Sequence, residues 1–201
     1  MARIAGVKRI AIAKIKKIGA TLAETEYEAP IVLPNLVSFS GSENRSSTSW
    51  YSGDLVEETF ENVVDYDLEF VLGSISNRIK ALITGAQINT AGTRSVTNSN
   101  DVQPQFALIV ELAQLGENAS HPLEQVYYNC KFSVDTIEGE TQTDSITDSP
   151  VTVKGKAIPL PTAGAELMAE ADGYDNAATA AITNWFTKPH GSKAASLLSE
   201  K

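Results

Sequence analysis

The stretch from Glu57 to Gly85 constrains this chain most, because it holds one long strand feeding directly into one helix. Its odd positions read Glu57, Thr59, Glu61, Val63, Asp65, Asp67 and Glu69, and its even positions Glu58, Phe60, Asn62, Val64, Tyr66, Leu68 and Phe70. Side chains alternate faces along a strand, so regular pairing predicts an acidic stripe on one face and an apolar, aromatic one on the other. At about 3.3 Å per residue, Glu57 to Glu69 reaches roughly 43 Å, far beyond an ordinary strand of about 5–6 residues. The period then changes. Ile75, Ile79, Leu82, Ile83 and Ala86 form the apolar stripe of a helix over about 74–85. Ser74 or Ser76 is placed to cap its start, and Gly85 to end it in a left-handed conformation.

With 201 residues, 42% of them hydrophobic, the chain can bury one core and carry extensions. Acids outnumber bases 25 to 16, which argues against a protein that grips nucleic-acid phosphates. The single cysteine, Cys130, excludes an intrachain disulfide, so nothing demands an oxidising compartment. Residues 1–10 interleave basic and apolar side chains instead of presenting a secretory apolar core. No apolar run reaches the roughly 20 residues of a membrane helix. The expectation is a chain made and kept in a cytoplasm, without membrane insertion.

Residues 3–18 alternate apolar side chains with Lys8, Arg9, Lys14, Lys16 and Lys17. Two readings stay open: an edge strand blunted by cations, or a basic patch for a neighbouring subunit's carboxylates. Residues 19–35 read as a connection held extended before Pro30 and Pro34, and Leu36 to Ser40 as a short strand. The tract 40–49, which includes Arg45, is polar and flexible by composition and ends at Trp50 and Tyr51. Those aromatics either become ordered against a partner or tuck into their own sheet.

A second polar tract covers 89–103. Phe106 to Ala113 is apolar on both faces and reads as a strand that is central or covered by the helix. Gln125 to Ile137 alternates, with Val126, Tyr128, Cys130, Phe132 and Val134 assigned to one apolar face. Pro150 to Ile158 is a further strand, stopped by Pro159 and Pro161. The expected division is a β domain over 1–160 and a C-terminal extension over 161–201. Within that extension, 175–186 is compatible with a short helix and the last residues are expected to be mobile.

Chemistry is hard to find. His121 and His190 lack a nucleophile or metal-ligand spacing. Asp65 and Asp67 fall on one strand face, but paired-carboxylate hydrolysis needs one carboxyl with a raised pKa. Glu170, Asp172, Asp175 and Asn176 around Gly173 offer carboxylates for calcium at a spacing that misses the EF-hand loop. Cys130 on an apolar face reads as a small core residue. No cofactor motif is present, and the expectation is a protein that is not an enzyme.

The order of segments resembles the major tail proteins of long-tailed, non-contractile bacteriophages. The likeness lies in Gly6-Val7-Lys8 opening a strand, the run Tyr27-Glu28-Ala29-Pro30-Ile31-Val32-Leu33-Pro34-Asn35-Leu36-Val37-Ser38, and the acidic strand entering a helix that ends Ala81-Leu82-Ile83-Thr84-Gly85. It continues in Tyr128 to Phe132, the Pro-initiated strand through Gly155, and Asp172-Gly173-Tyr174-Asp175 ahead of Trp185-Phe186, covering most of 5–187.

This resemblance implies a mainly β (α+β) fold: a tail-tube-type β-sandwich or half-barrel with one flanking helix and long loops. Hexameric rings would stack into a hollow tube that houses the tape measure protein and conducts DNA into the host. The expected partners are further copies of the chain, the tape measure, tail terminator and distal tail proteins, and passing DNA that does not stick. The expected location is the virion tail tube, after assembly in the host cytoplasm. Glu57, Glu61, Asp65, Asp67 and Glu69 are expected to face the lumen, with Lys8, Arg9, Lys14, Arg45, Trp50 and Tyr51 contacting other subunits or rings. The alternatives are a single-ring tail terminator or joining protein of the same fold, or a monomeric β-sandwich that binds a ligand.

Overall fold

The computed structural model describes residues 3–52, 55–89, 91, 95–115, 121–135, 150–172 and 185–192. All of the expected helix over 175–186 except Trp185 and Phe186, which form a turn, and most of the candidate calcium loop fall outside them. Strands dominate: β1 (Arg3–Lys17), β2 (Glu26–Tyr27), β3 (Ile31–Val32), β4 (Leu36–Ser52), β5 (Leu55–Leu72), β6 (Gln87–Ile88), β7 (Ser95–Val96), β8 (Phe106–Leu115), β9 (Leu123–Val134), β10 (Val151–Ala157) and β11 (Met168–Asp172). A 3-10 turn covers Leu22–Glu24, and the α-helix among the described residues is α1 (Asn77–Thr84).

Nine strands pair antiparallel in the order β2-β1-β8-β9-β10-β5-β4, with β3 also on β1 and β11 also on β9. β6 and β7 pair separately. β1 comes close to β4 although the two lie far apart in strand order, so the sheet curls around an enclosed core. Ile10, Ile12, Leu68, Phe70, Phe106, Leu108, Cys130 and Phe132 fill that core. α1 packs on it through Ile79, Leu82 and the buried Ile83. Its geometry follows the reading of the sequence: the Ser76 side chain accepts from the Ile79 N–H at 3.3 Å, and Gly85 turns left-handed with φ 77°.

A smaller core on the opposite sheet face joins Ala11, Ile109, Val126 and Tyr128 to Leu160 and Trp185. β8 is therefore buried on both faces, as its composition requires. The chain beyond residue 160 takes part in the same domain where it is described. β11 extends the sheet beside β9, and Trp185 closes the second core.

Of the several register shifts in the sheet, those on β9 and in the middle of β5 overturn the regular alternation expected there. On β9, Phe106 pairs with Cys130 but Leu108 with Tyr127, so β9 carries one extra residue. Val126 and Tyr128 consequently face the second core, while Tyr127, Cys130 and Phe132 face the main one. On β5, Asn44 pairs with Asp65 but Arg45 with Val63, which again inserts a residue and reverses the faces beyond it. The serine-rich tract is also corrected. Rather than a flexible loop, 40–49 is continuous strand within β4, because the long β5 offers it a full ladder of partners.

Candidate functional site

The feature that could engage another molecule is the β4–β5 hairpin. β10 pairs with β5 only from Tyr66 to Leu72. From Asp65 outward, β5 has β4 as its sole partner among the described residues. Eleven residues at about 3.3 Å make this a two-stranded arm roughly 35 Å long. An isolated two-stranded ribbon is marginally stable in water, and among the described residues no strand pairs with the outer edge of β4.

The bulge decides what the arm displays. Asp65, Asp67 and Glu69 share the outward face of the sheet with Ser40, Ser42 and Asn44, and the Asn44 amide donates to both Asp65 and Asp67 at 2.7 and 2.6 Å. Glu61 does not join them. It lies on the opposite face, where Arg45 Nη1 stands 3.5 Å away and Arg45 also pairs with Glu43. The expected single stripe is thus split at Val64, and the side chain of Glu57 lies outside the described residues. The outward face of the arm carries Phe60, with Trp50 diagonal to it, exposed at 47% and 67%, and keeps one described carboxylate, Glu58, opposite Trp50. The side chain of Tyr51 is likewise outside the described residues.

Nor is the outward face purely acidic. Lys154 and Lys156 on β10 stand opposite Glu69 and Asp67, and Lys131 on β9 stands opposite Lys156. Lys156 Nζ lies 3.0 Å from Asp65 and 3.4 Å from Asp67, and Lys154 Nζ 2.7 Å from Asp135. Asp65, Asp67, Glu69 and Asp135 are therefore set against three lysines. Hydrogen bonds from Asn44 first, then Lys156, hold Asp65 below the usual carboxylate pKa. For Asp65 that is the reverse of what a general acid requires.

The remaining expected contact residues have intrachain partners or line a groove. Lys8 Nζ donates to Glu111 at 2.8 Å, and Arg9 pairs with the same carboxylate. Lys14 lies beside the open groove of about 700 Å³ under α1, which Ile31, Ile79, Leu82, Ile88 and Val102 line and Arg78 and Glu28 flank. Ile31, Ile88 and Val102 are exposed there. Asp172 accepts from the Gln114 amide at 2.8 Å and Glu170 from Gln125 at 2.7 Å. No group of three metal-ligating side chains occurs among the described residues. Cys130 is fully buried, which drives its thiol pKa far up and leaves it unreactive.

Sequence reasoning missed Phe60, the three lysines of the outward face, and the carboxylates of Glu111 and Glu124. A signal existed for Glu111, a charge inside a run apolar on both faces; Phe60 was hidden by the bulge. No described helix is long and apolar enough to cross a membrane. No protein-family model matches the chain, and comparison with curated proteins finds no match.

Proposed function

We propose that the chain is a structural subunit that assembles with copies of itself into rings stacked as a hollow tube, the tail tube of a long-tailed bacteriophage. The observation that carries this reading is the hairpin arm: a ribbon roughly 35 Å long, supported by nothing else in its own described chain, with an exposed Trp50–Phe60 pair near its end. Such an arm becomes stable when a second copy covers its apolar face and pairs its open edge. The groove under α1 offers a second exposed apolar surface on every copy. A contact between unlike patches is heterologous, the geometry that closes rings or runs on as filaments.

In this reading the outward face of β5 and β10 lines the bore. Lys154 and Lys156 are tied there to carboxylates, which leaves no cluster of free cations among the described residues to hold passing DNA phosphates. The tape measure protein would occupy the bore during assembly. A single-ring terminator of the same fold would close laterally without stacking, and a monomeric binding module would use the groove alone.

Electron microscopy of the concentrated protein separates these readings. Stacked tubes are expected, and Trp50→Ser with Phe60→Ser should abolish them. Single rings, or particles that stay monomeric at every concentration, would overturn the tube.

A further inference from the structure

Glu111 and Glu124 stand directly opposite each other on β8 and β9. They share the sheet face of Ile109 and Val126, which the Trp185–Phe186 segment covers. Glu111 is satisfied by Lys8 and Arg9. Glu124 is not. It is 1% exposed, and its Oε2 has no hydrogen-bond partner among the described residues. Its nearest described cation, Arg9, reaches Oε1 only at 4.0 Å while already pairing with Glu111.

Among the described residues, Arg9 and then Lys8 of β1 are the cations that act on Glu124, and β11 and the C-terminal segment bring no charge to it. On β11 its cross-strand neighbour is Ala171, and Glu170 and Asp172 are held on the opposite face by Gln125 and Gln114. In the C-terminal segment, Lys188 donates to the Ser192 carbonyl and His190 stacks on Trp185 at 4.7 Å. Phe186 lies over the Arg9 guanidinium, 3.7 Å from ring centre to carbon. That ring closes off the shared cation.

We propose that Glu124 is held protonated beneath the Trp185–Phe186 segment and that its ionisation releases this segment, making residues 185–192 a pH-responsive latch. A neutral carboxyl needs no counter-ion, whereas a second buried carboxylate beside Glu111 would compete for a cation that is already taken. Burial first, and the Glu111 charge second, push the Glu124 pKa up to about 7. When the segment lifts, water reaches the carboxyl and its pKa returns towards 4.5. The closed state is therefore the one that keeps the proton. Closure is strongest below the ordinary carboxyl pKa, weakens about tenfold per pH unit up to about 7, and levels off above it.

The test is amide exchange of the full-length chain, read on peptides covering 185–192 and corrected for the intrinsic pH dependence of exchange. Opening should rise by roughly 70-fold from pH 5 to pH 8 in the native chain. In Glu124→Gln, an uncharged side chain of the same shape, the corrected rate should be flat. A flat native profile would overturn the latch. So would a Glu124→Gln chain that keeps the slope, which would assign the dependence to another group such as His190. Should Glu124→Gln not fold, Glu111→Gln provides the second measurement. Removing the neighbouring charge should move the midpoint to lower pH, and an unmoved midpoint would contradict the proposal.

Discussion

Single side chains explain why this sheet can curl so tightly. Gly155 sits on β10 between Leu68 and Phe132, and a Cβ there would overlap the Phe132 ring. Gly155→Ala should therefore cost about 1–3 kcal/mol, seen as a lower urea midpoint with an unchanged slope. Glu111 makes a pH prediction opposite in sign to that of Glu124. Burial pulls its pKa up, but hydrogen bonds from Lys8 and Arg9 outweigh burial and hold it below its ordinary value. The folded state thus binds the Glu111 proton less readily than the unfolded chain. Stability from this group is present above the ordinary carboxyl range and is lost as pH falls through the depressed value. In acid titrations followed by circular dichroism, Glu111→Gln should flatten the loss of stability below about pH 4.5.

Among the elements, those with a period or a cap were legible throughout, whereas the bulged strands β5 and β9 were legible as strands but not in the face each side chain takes. α1 could be read from its apolar stripe, Ser76 and Gly85, and β8 and β10 from their composition and the prolines near them. Ser76→Ala should remove about 1 kcal/mol from the helix, measurable as faster exchange at 77–84. The bulges at Val64 and after Tyr127 escaped because an extra residue leaves no mark in an alternating pattern, yet it flips every side chain beyond it. That is why Glu61 leaves the acidic face and Phe60 takes its place. The extended course of 40–49 was equally hidden, since an arm solvated on both faces needs no apolar alternation. Because Trp50 and Phe60 pack in neither core, replacing both with serine should change monomer stability by no more than about 0.5 kcal/mol while removing assembly. Unfolding curves and sedimentation, run in parallel, check both halves of that statement.

At the scale of the molecule, the enclosed core is complete and the arm is not. Phe70, Phe106 and Phe132 pack against one another inside the curled sheet. The arm beyond Asn44 and Asp65 contributes no described side chain to that core, and its ion pairs among Glu43, Arg45 and Glu61 are exposed and screened by solvent. Its length makes physical sense once other copies supply the missing partners. Amide exchange of 44–50 and 58–65, compared between dilute monomer and concentrated protein, tests this most directly. The account predicts fast exchange in the monomer and at least about hundredfold protection on assembly, with the core strands unchanged. Equal protection of the arm in both samples would show that the chain completes itself, and would contradict the account.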